Sequence, residues 1–98
     1  MENGMRPVHP GEILKEDVLP ALGLPKIEIA RLLGVSRQSL YELLEGQQAL
    51  TPSMALRVAK LTGTTAESWA RMQMAYDLKV QRAALAKDID AIPTLAAA

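Results

Sequence analysis

The chain contains no cysteine and no phenylalanine, and its aromatic side chains amount to one Trp and two Tyr. The first absence rules out a disulfide framework and a thiolate metal site, and it fits a reducing compartment. The second means that aliphatic packing dominates the core, within a hydrophobic fraction of 49%. Histidine is almost absent too: His9 stands alone in the proline-rich start MENGMRPVHP, with no second ligand near it, so no metal site is expected. No apolar run approaches the roughly 18 residues that suggest a membrane span, and the N-terminus lacks the apolar segment of a signal peptide. A soluble cytoplasmic protein with no membrane association is expected.

Net charge is missing as well, because 11 basic and 11 acidic residues cancel. DNA-binding domains usually carry a basic excess, so a neutral chain that binds DNA must gather its positive charge on one face. Catalytic constellations are not found: there is no Gly-rich phosphate loop, no Ser-His-Asp set and no helix with two histidines. The carboxylate pairs Glu16-Asp17 and Asp88–Asp90 have no base or nucleophile near them. No enzyme, no catalytic residue and no cofactor is expected.

What is present is helical patterning along one domain of 98 residues. Residues 1–10 read as an N-terminal arm. GEILKEDVL, from Gly11 to Leu19, places Ile13, Leu14 and Val18 on one side of a helix that Pro20 should kink or end. Pro25 suits the first position of a second helix running to about Leu33. A third starts after Ser36, whose hydroxyl can cap the amide of Ser39, and stops before Gly46. Thr51-Pro52 opens a fourth, with Met54, Ala55, Val58, Ala59 and Leu61 on its apolar flank and Gly63 at its end. Thr64 followed by Glu67 reads as a capping box for a fifth helix from about Thr65 to Ala86 or beyond. Residues 11–87 thus form the domain, and 88–98 a frayed, Ala-rich tail.

The stretch KIEIARLLGVSRQSLYELLEG, Lys26 to Gly46, has the spacing of a DNA-binding helix-turn-helix. Two helices cross closely only where the first carries a small residue, here Ala30. The turn after it needs a left-handed backbone, which Gly34 supplies. Ile29, Leu33, Val35, Leu40 and Leu43 then close one apolar seam, leaving Arg37, Gln38, Ser39 and Glu42 on the outward side of the second helix. A polar helix held outward in this way fits the major groove of double-stranded DNA.

Each outward residue has a specific and a plain reading. The Arg37 fork can pair with guanine O6 and N7, or it can hold a phosphate. Gln38 can read adenine, bridge through water, or simply be solvated. Ser36 and Ser39 suit phosphates, although capping alone explains Ser36. Lys26 is placed to meet a phosphate at the amino end of the motif's first helix, and Gln47 follows in the loop after the second. Glu42 can accept from cytosine N4, or act as a filter against the wrong sequence.

The fifth helix carries two apolar stripes at about 100° per residue. Trp69, Met72, Tyr76, Val80 and Ala83 form one, while Ala70, Met74, Leu78 and Leu85 lie nearly opposite. A helix on a single small core needs only one apolar face. The second stripe is therefore expected to form a homodimer interface, the alternative being a helix that bends back into a larger core.

Three strings go beyond a generic motif: HPGEIL from His9, IARLLGVSRQSL from Ile29, and LTPSMALRVAKLTGTTAESWARMQMAYDL from Leu50. Together they resemble the HigA/VapI-type antitoxins, whose DNA-binding domain is similar to those of the phage repressor and Cro class (XRE type), over residues 9–80. The resemblance implies an all-α, five-helix bundle with an extended C-terminal helix. It also implies a dimeric antitoxin that binds a RelE-like ribonuclease toxin and represses its own operon. The chain departs from that pattern at Pro25, where a capping Ser or Thr is common, and at Tyr41, Glu42, Glu45, Gln47 and Gln48, which lower the positive charge of the presumed DNA face. These changes keep open a protein-binding antitoxin with little DNA affinity; a phage-type repressor without a toxin is a further alternative.

Overall fold

The computed structural model describes residues 6–95; the first half of the expected arm and the last three alanines of the tail lie outside the described residues. Among the described residues the chain is all-helical, with no strand. The helices are α1 (Pro10–Ile13), α2 (Lys26–Leu33), α3 (Arg37–Leu44), α4 (Pro52–Thr62), α5 (Ala66–Ala84) and α6 (Ala86–Asp90). Between α1 and α2 the chain continues as a wide π turn over Leu14–Val18 and a tight 3₁₀ turn over Leu19–Leu22. The expected all-α, repressor-like bundle with a long C-terminal helix is the architecture observed, with an extra short helix after α5.

The entry to the fold differs from the expectation of an arm through Pro10. His9 and Pro10 are buried. The His9 ring caps α1, its Nδ1 accepting the Gly11 amide at 2.9 Å. The ring also packs against Tyr76 of α5 in a T-shaped pair, with centroids 4.9 Å apart and planes 72° to one another. An imidazole with one acceptor nitrogen and one flat apolar face can serve both contacts at once, which is why this polar residue is drawn inward.

Pro20 neither ends nor breaks the helical course, which runs on to Leu22. The Leu19 amide instead reaches back five residues to the Leu14 carbonyl. That widened turn relieves the clash a proline ring makes with the preceding turn, and Pro20 has no amide of its own to leave unpaired.

The core follows the predicted seam. Ile29, Ala30, Leu33, Leu40 and Leu43 are all at most 4% exposed, with Val35 packed at their edge. Ala55, Val58 and Ala59 of α4 and Trp69 of α5 complete it. Each large aliphatic side chain so buried contributes about 1.5–3 kcal/mol. Gly11 allows α1 to lie directly on α3, since a Cβ there would stand 1.8 Å from the Leu43 carbonyl oxygen.

The start of α5 corrects a second detail. Thr65, not Thr64, is the cap, accepting the Ser68 amide at 3.2 Å. The Thr64 hydroxyl is engaged elsewhere, taking the Trp69 indole N–H at 2.7 Å. A buried indole needs an acceptor, and the adjacent threonine is left to cap the helix. Gln73 is buried on the same side of α5; its Oε1 accepts the Leu50 amide at 2.7 Å and its Nε2 donates to Asp77 at 3.0 Å.

Beyond Tyr76 the helix leaves the core, and Asp77 to Asp90 are exposed throughout. The first stripe therefore covers the core only through Trp69, Met72 and Tyr76, while Val80 and Ala83 are exposed. This projection gives the protein its extents of 52 × 29 × 25 Å. The expected continuous helix is interrupted at Leu85, so residues 86–90 of the presumed boundary and tail are helical.

Candidate nucleic-acid interface

The helix-turn-helix is built from α2, a glycine turn and α3. Gly34 is left-handed at φ 74°. Its amide bonds to the Arg31 carbonyl and the Val35 amide to the Ala30 carbonyl, both at 3.1 Å, which closes the end of α2. α4 braces this turn from behind: the Arg57 guanidinium donates through Nη1 to the Leu33 carbonyl at 2.7 Å. Pro25 precedes α2 in extended conformation and offers no side-chain cap, as its ring dictates.

The start of α3 is fixed by Ser36, whose Oγ accepts the Ser39 amide at 3.0 Å and donates to Ser39 Oγ at 3.0 Å. Ser36 is thus committed to the cap, whereas the Ser39 hydroxyl hydrogen remains free to point outward. Arg37, Gln38 and Gln47 are exposed, Ser39 and Glu42 are half-buried, and Lys26 is exposed at the start of α2. The six outward residues therefore lie around the start of α2, along α3 and in the loop after it.

Two features of this face were not read from the sequence. Glu42 accepts from Gln38 Nε2 at 3.1 Å through one carboxylate oxygen, and from Gln48 Nε2 through the other. The Gln48 contact arises because the chain reverses at Gly46, where the Gln47 amide bonds back to the Glu42 carbonyl at 2.8 Å. The sequence signal was Gly46 itself, the cap that turns the loop back over α3. Second, Glu45 is ion-paired with Lys15 at 2.8 Å, so its charge is partly offset by the turn after α1. Arg31 is similarly paired with Glu28, which holds the Glu28 carboxyl below its ordinary range.

Along α5 and at its end, Met74 is 59%, Leu78 44% and Leu85 38% exposed, and Ala70 is exposed on the same stripe. The predicted second stripe is therefore open. Among the described residues no group of acidic, His or Cys side chains is arranged to hold a metal ion, and no helix is long and apolar enough to cross a membrane.

The sequence profile described as Helix-turn-helix matches residues 14–69. The chain belongs to the helix-turn-helix family. It is 42% identical over 79 residues to the virulence-associated protein I of Dichelobacter nodosus, covering 81% of this chain and 73% of that one. Among solved structures, the Pseudomonas aeruginosa antitoxin HigA with the higBA promoter superposes with a TM-score of 0.86 at 33% identity, covering 93% of this chain and 100% of that one. The antitoxin GraA in complex with its operator gives a TM-score of 0.86 at 35% identity, covering 99% of both chains. The HigA-type, repressor-like helix-turn-helix resemblance drawn from the sequence is borne out. Its relatives are DNA-binding regulators and antitoxins, a class without enzymatic activity.

Proposed function

We propose that this chain is the antitoxin of a type II toxin–antitoxin module. In this reading it works in the cytoplasm as a homodimer that binds its own operator, represses its operon and neutralises a small RelE-like ribonuclease. The observation that carries the reading is α3, a short helix capped at both ends that leaves Arg37 and Gln38 exposed over a fully buried leucine seam. The likeness to HigA and GraA, both described with promoter or operator DNA, supports it.

In the proposed complex Arg37 reads guanine, Gln38 contacts an adjacent base, and Lys26, Ser39 and Gln47 hold phosphates. Ser36 acts through its cap, and Glu42 lies against the bases. Ala70, Met74, Leu78 and Leu85 pair two copies so that their α3 helices reach successive turns of DNA, about 34 Å apart.

A second reading, a protein-binding antitoxin with weak DNA affinity, is favoured by Glu42 on α3, by Glu45 at its C-terminal cap and by the zero net charge. The Lys15–Glu45 pair reduces its force. One experiment separates the two. The purified protein is titrated onto the DNA upstream of its own gene, and onto the product of the neighbouring toxin gene. Sequence-selective binding that weakens steeply with salt supports the operator-binding reading. Toxin binding with no selective DNA binding supports the second.

A further inference from the structure

The Glu42 carboxylate has one glutamine amide on each of its oxygens, Gln38 from one turn earlier in α3 and Gln48 from the loop beyond its end. A carboxylate only accepts hydrogen bonds, so each glutamine must turn its NH₂ group toward Glu42. Rotating either amide by half a turn would set oxygen against oxygen. The flip that an isolated surface glutamine makes freely is blocked here for both.

This fixes what Gln38 can offer to a base. One of its two amide hydrogens is taken by Glu42, leaving one N–H donor and the Oε1 acceptor. In the major groove adenine presents one acceptor, N7, beside one donor, the N6 amino group, whereas guanine presents two acceptors, N7 and O6. A glutamine with one donor and one acceptor left matches adenine. Guanine would need both hydrogens of the amide, and its O6 would otherwise face Oε1.

Resting on the operator-binding reading above, we infer that Glu42 is a positioning residue that sets Gln38 to read adenine and reject guanine, with Gln48 occupying the other carboxylate oxygen. The acidic residue on the recognition helix then serves specificity, and its cost falls on overall affinity through repulsion of the phosphates.

The test is selection of bound sequences from a random double-stranded DNA pool by the full-length protein, compared for the wild type, Gln38→Ala, Glu42→Ala and Glu42→Gln. The wild type is expected to select adenine at one position per half-site, at least about fivefold over guanine. Gln38→Ala removes that preference. Glu42→Ala frees both amide hydrogens, so adenine and guanine become nearly equal at that position while preferences elsewhere persist. Glu42→Gln, which keeps one acceptor oxygen, retains part of the preference while lacking the negative charge. A purely electrostatic role for Glu42 would instead raise affinity uniformly across sequences in both Glu42 variants, and that result overturns the inference. So does a wild type that selects guanine at the position lost in Gln38→Ala. A wild type that selects no sequence overturns the operator-binding reading and this inference together, whereas a selective wild type whose adenine preference survives Glu42→Ala overturns only the positioning role.

Discussion

Arg57 of α4 holds the Leu33 carbonyl at 2.7 Å, and Nη1 of the same guanidinium stands only 2.8 Å from where a Cβ on Gly34 would lie. The turn of the helix-turn-helix is thus closed by a side chain from a different helix. Its geometry depends both on the glycine backbone and on the arginine that fills the space beside it.

Two variants separate these contributions. Gly34→Ala forces an L-residue into a left-handed conformation, which costs about 1–2 kcal/mol, and also displaces the Arg57 head. Arg57→Ala removes a hydrogen bond from a charged donor and lowers stability by about 1–2 kcal/mol. In the double variant the steric part disappears, so the two losses sum to less than the singles predict. Urea unfolding of the four proteins measures this coupling, and strict additivity would show that Arg57 does not crowd the turn.

Gly11→Ala tests the contact between α1 and α3. Its new Cβ would stand 1.8 Å from the Leu43 carbonyl oxygen, which is backbone and cannot swing aside. Helix propensity alone favours alanine, yet overpacking should dominate and destabilise the protein by about 2 kcal/mol or more. Thermal unfolding decides the sign; an unchanged or raised midpoint would mean that α1 does not press on α3.

His9 links acidification to stability. Burial pushes its pKa below the ordinary 6.5, against the opposing pull of a hydrogen bond with the Gln48 backbone and of the Asp77 charge. The folded protein therefore holds His9 neutral at a pH where the unfolded chain already binds a proton. Stability is complete above the unfolded value of about 6.5 and declines as pH falls below it, until the folded group also protonates. Protonation also removes the Nδ1 acceptor from the Gly11 amide. Denaturant melts from pH 8 to 5 should show this loss in the wild type, and a smaller one in His9→Gln, which cannot titrate.

Much of this fold was legible in the sequence, because local rules and tertiary packing agree there. Ala30 and Gly34 at their fixed separation, the Ser36 and Thr51 caps, and the leucine seam each depend on neighbours a few residues away. What was not legible depends on distant partners. His9 looked like part of a loose arm because Tyr76, its ring neighbour, lies far along the chain. Thr64 looked like a cap because the demand of the Trp69 indole is invisible until the helix is docked. Gln73 reads as a surface residue until the Leu50 amide needs it. At the candidate interface the outward positions of Arg37 and Gln38 followed from helical phase, whereas the sharing of Glu42 by two glutamines needed the reversal at Gly46.

The α5 stripe provides its own test. Met74→Glu or Leu78→Glu places a charge at the centre of the proposed dimer contact while altering no buried side chain of the monomer. Sedimentation should show a dimer for the wild type and a monomer for either variant, with helical content unchanged. A dimer that survives both substitutions would move the interface away from α5.

The most direct measurement is the affinity of the wild type and Arg37→Ala for the DNA upstream of the gene, against an unrelated duplex at the same fixed salt. If the outward face of α3 reads the groove, the wild type discriminates strongly between the two duplexes. Arg37→Ala then loses about 1–3 kcal/mol on the operator and little on the unrelated DNA. Equal affinity of the wild type for both duplexes, or an Arg37→Ala protein as selective as the wild type, would contradict it.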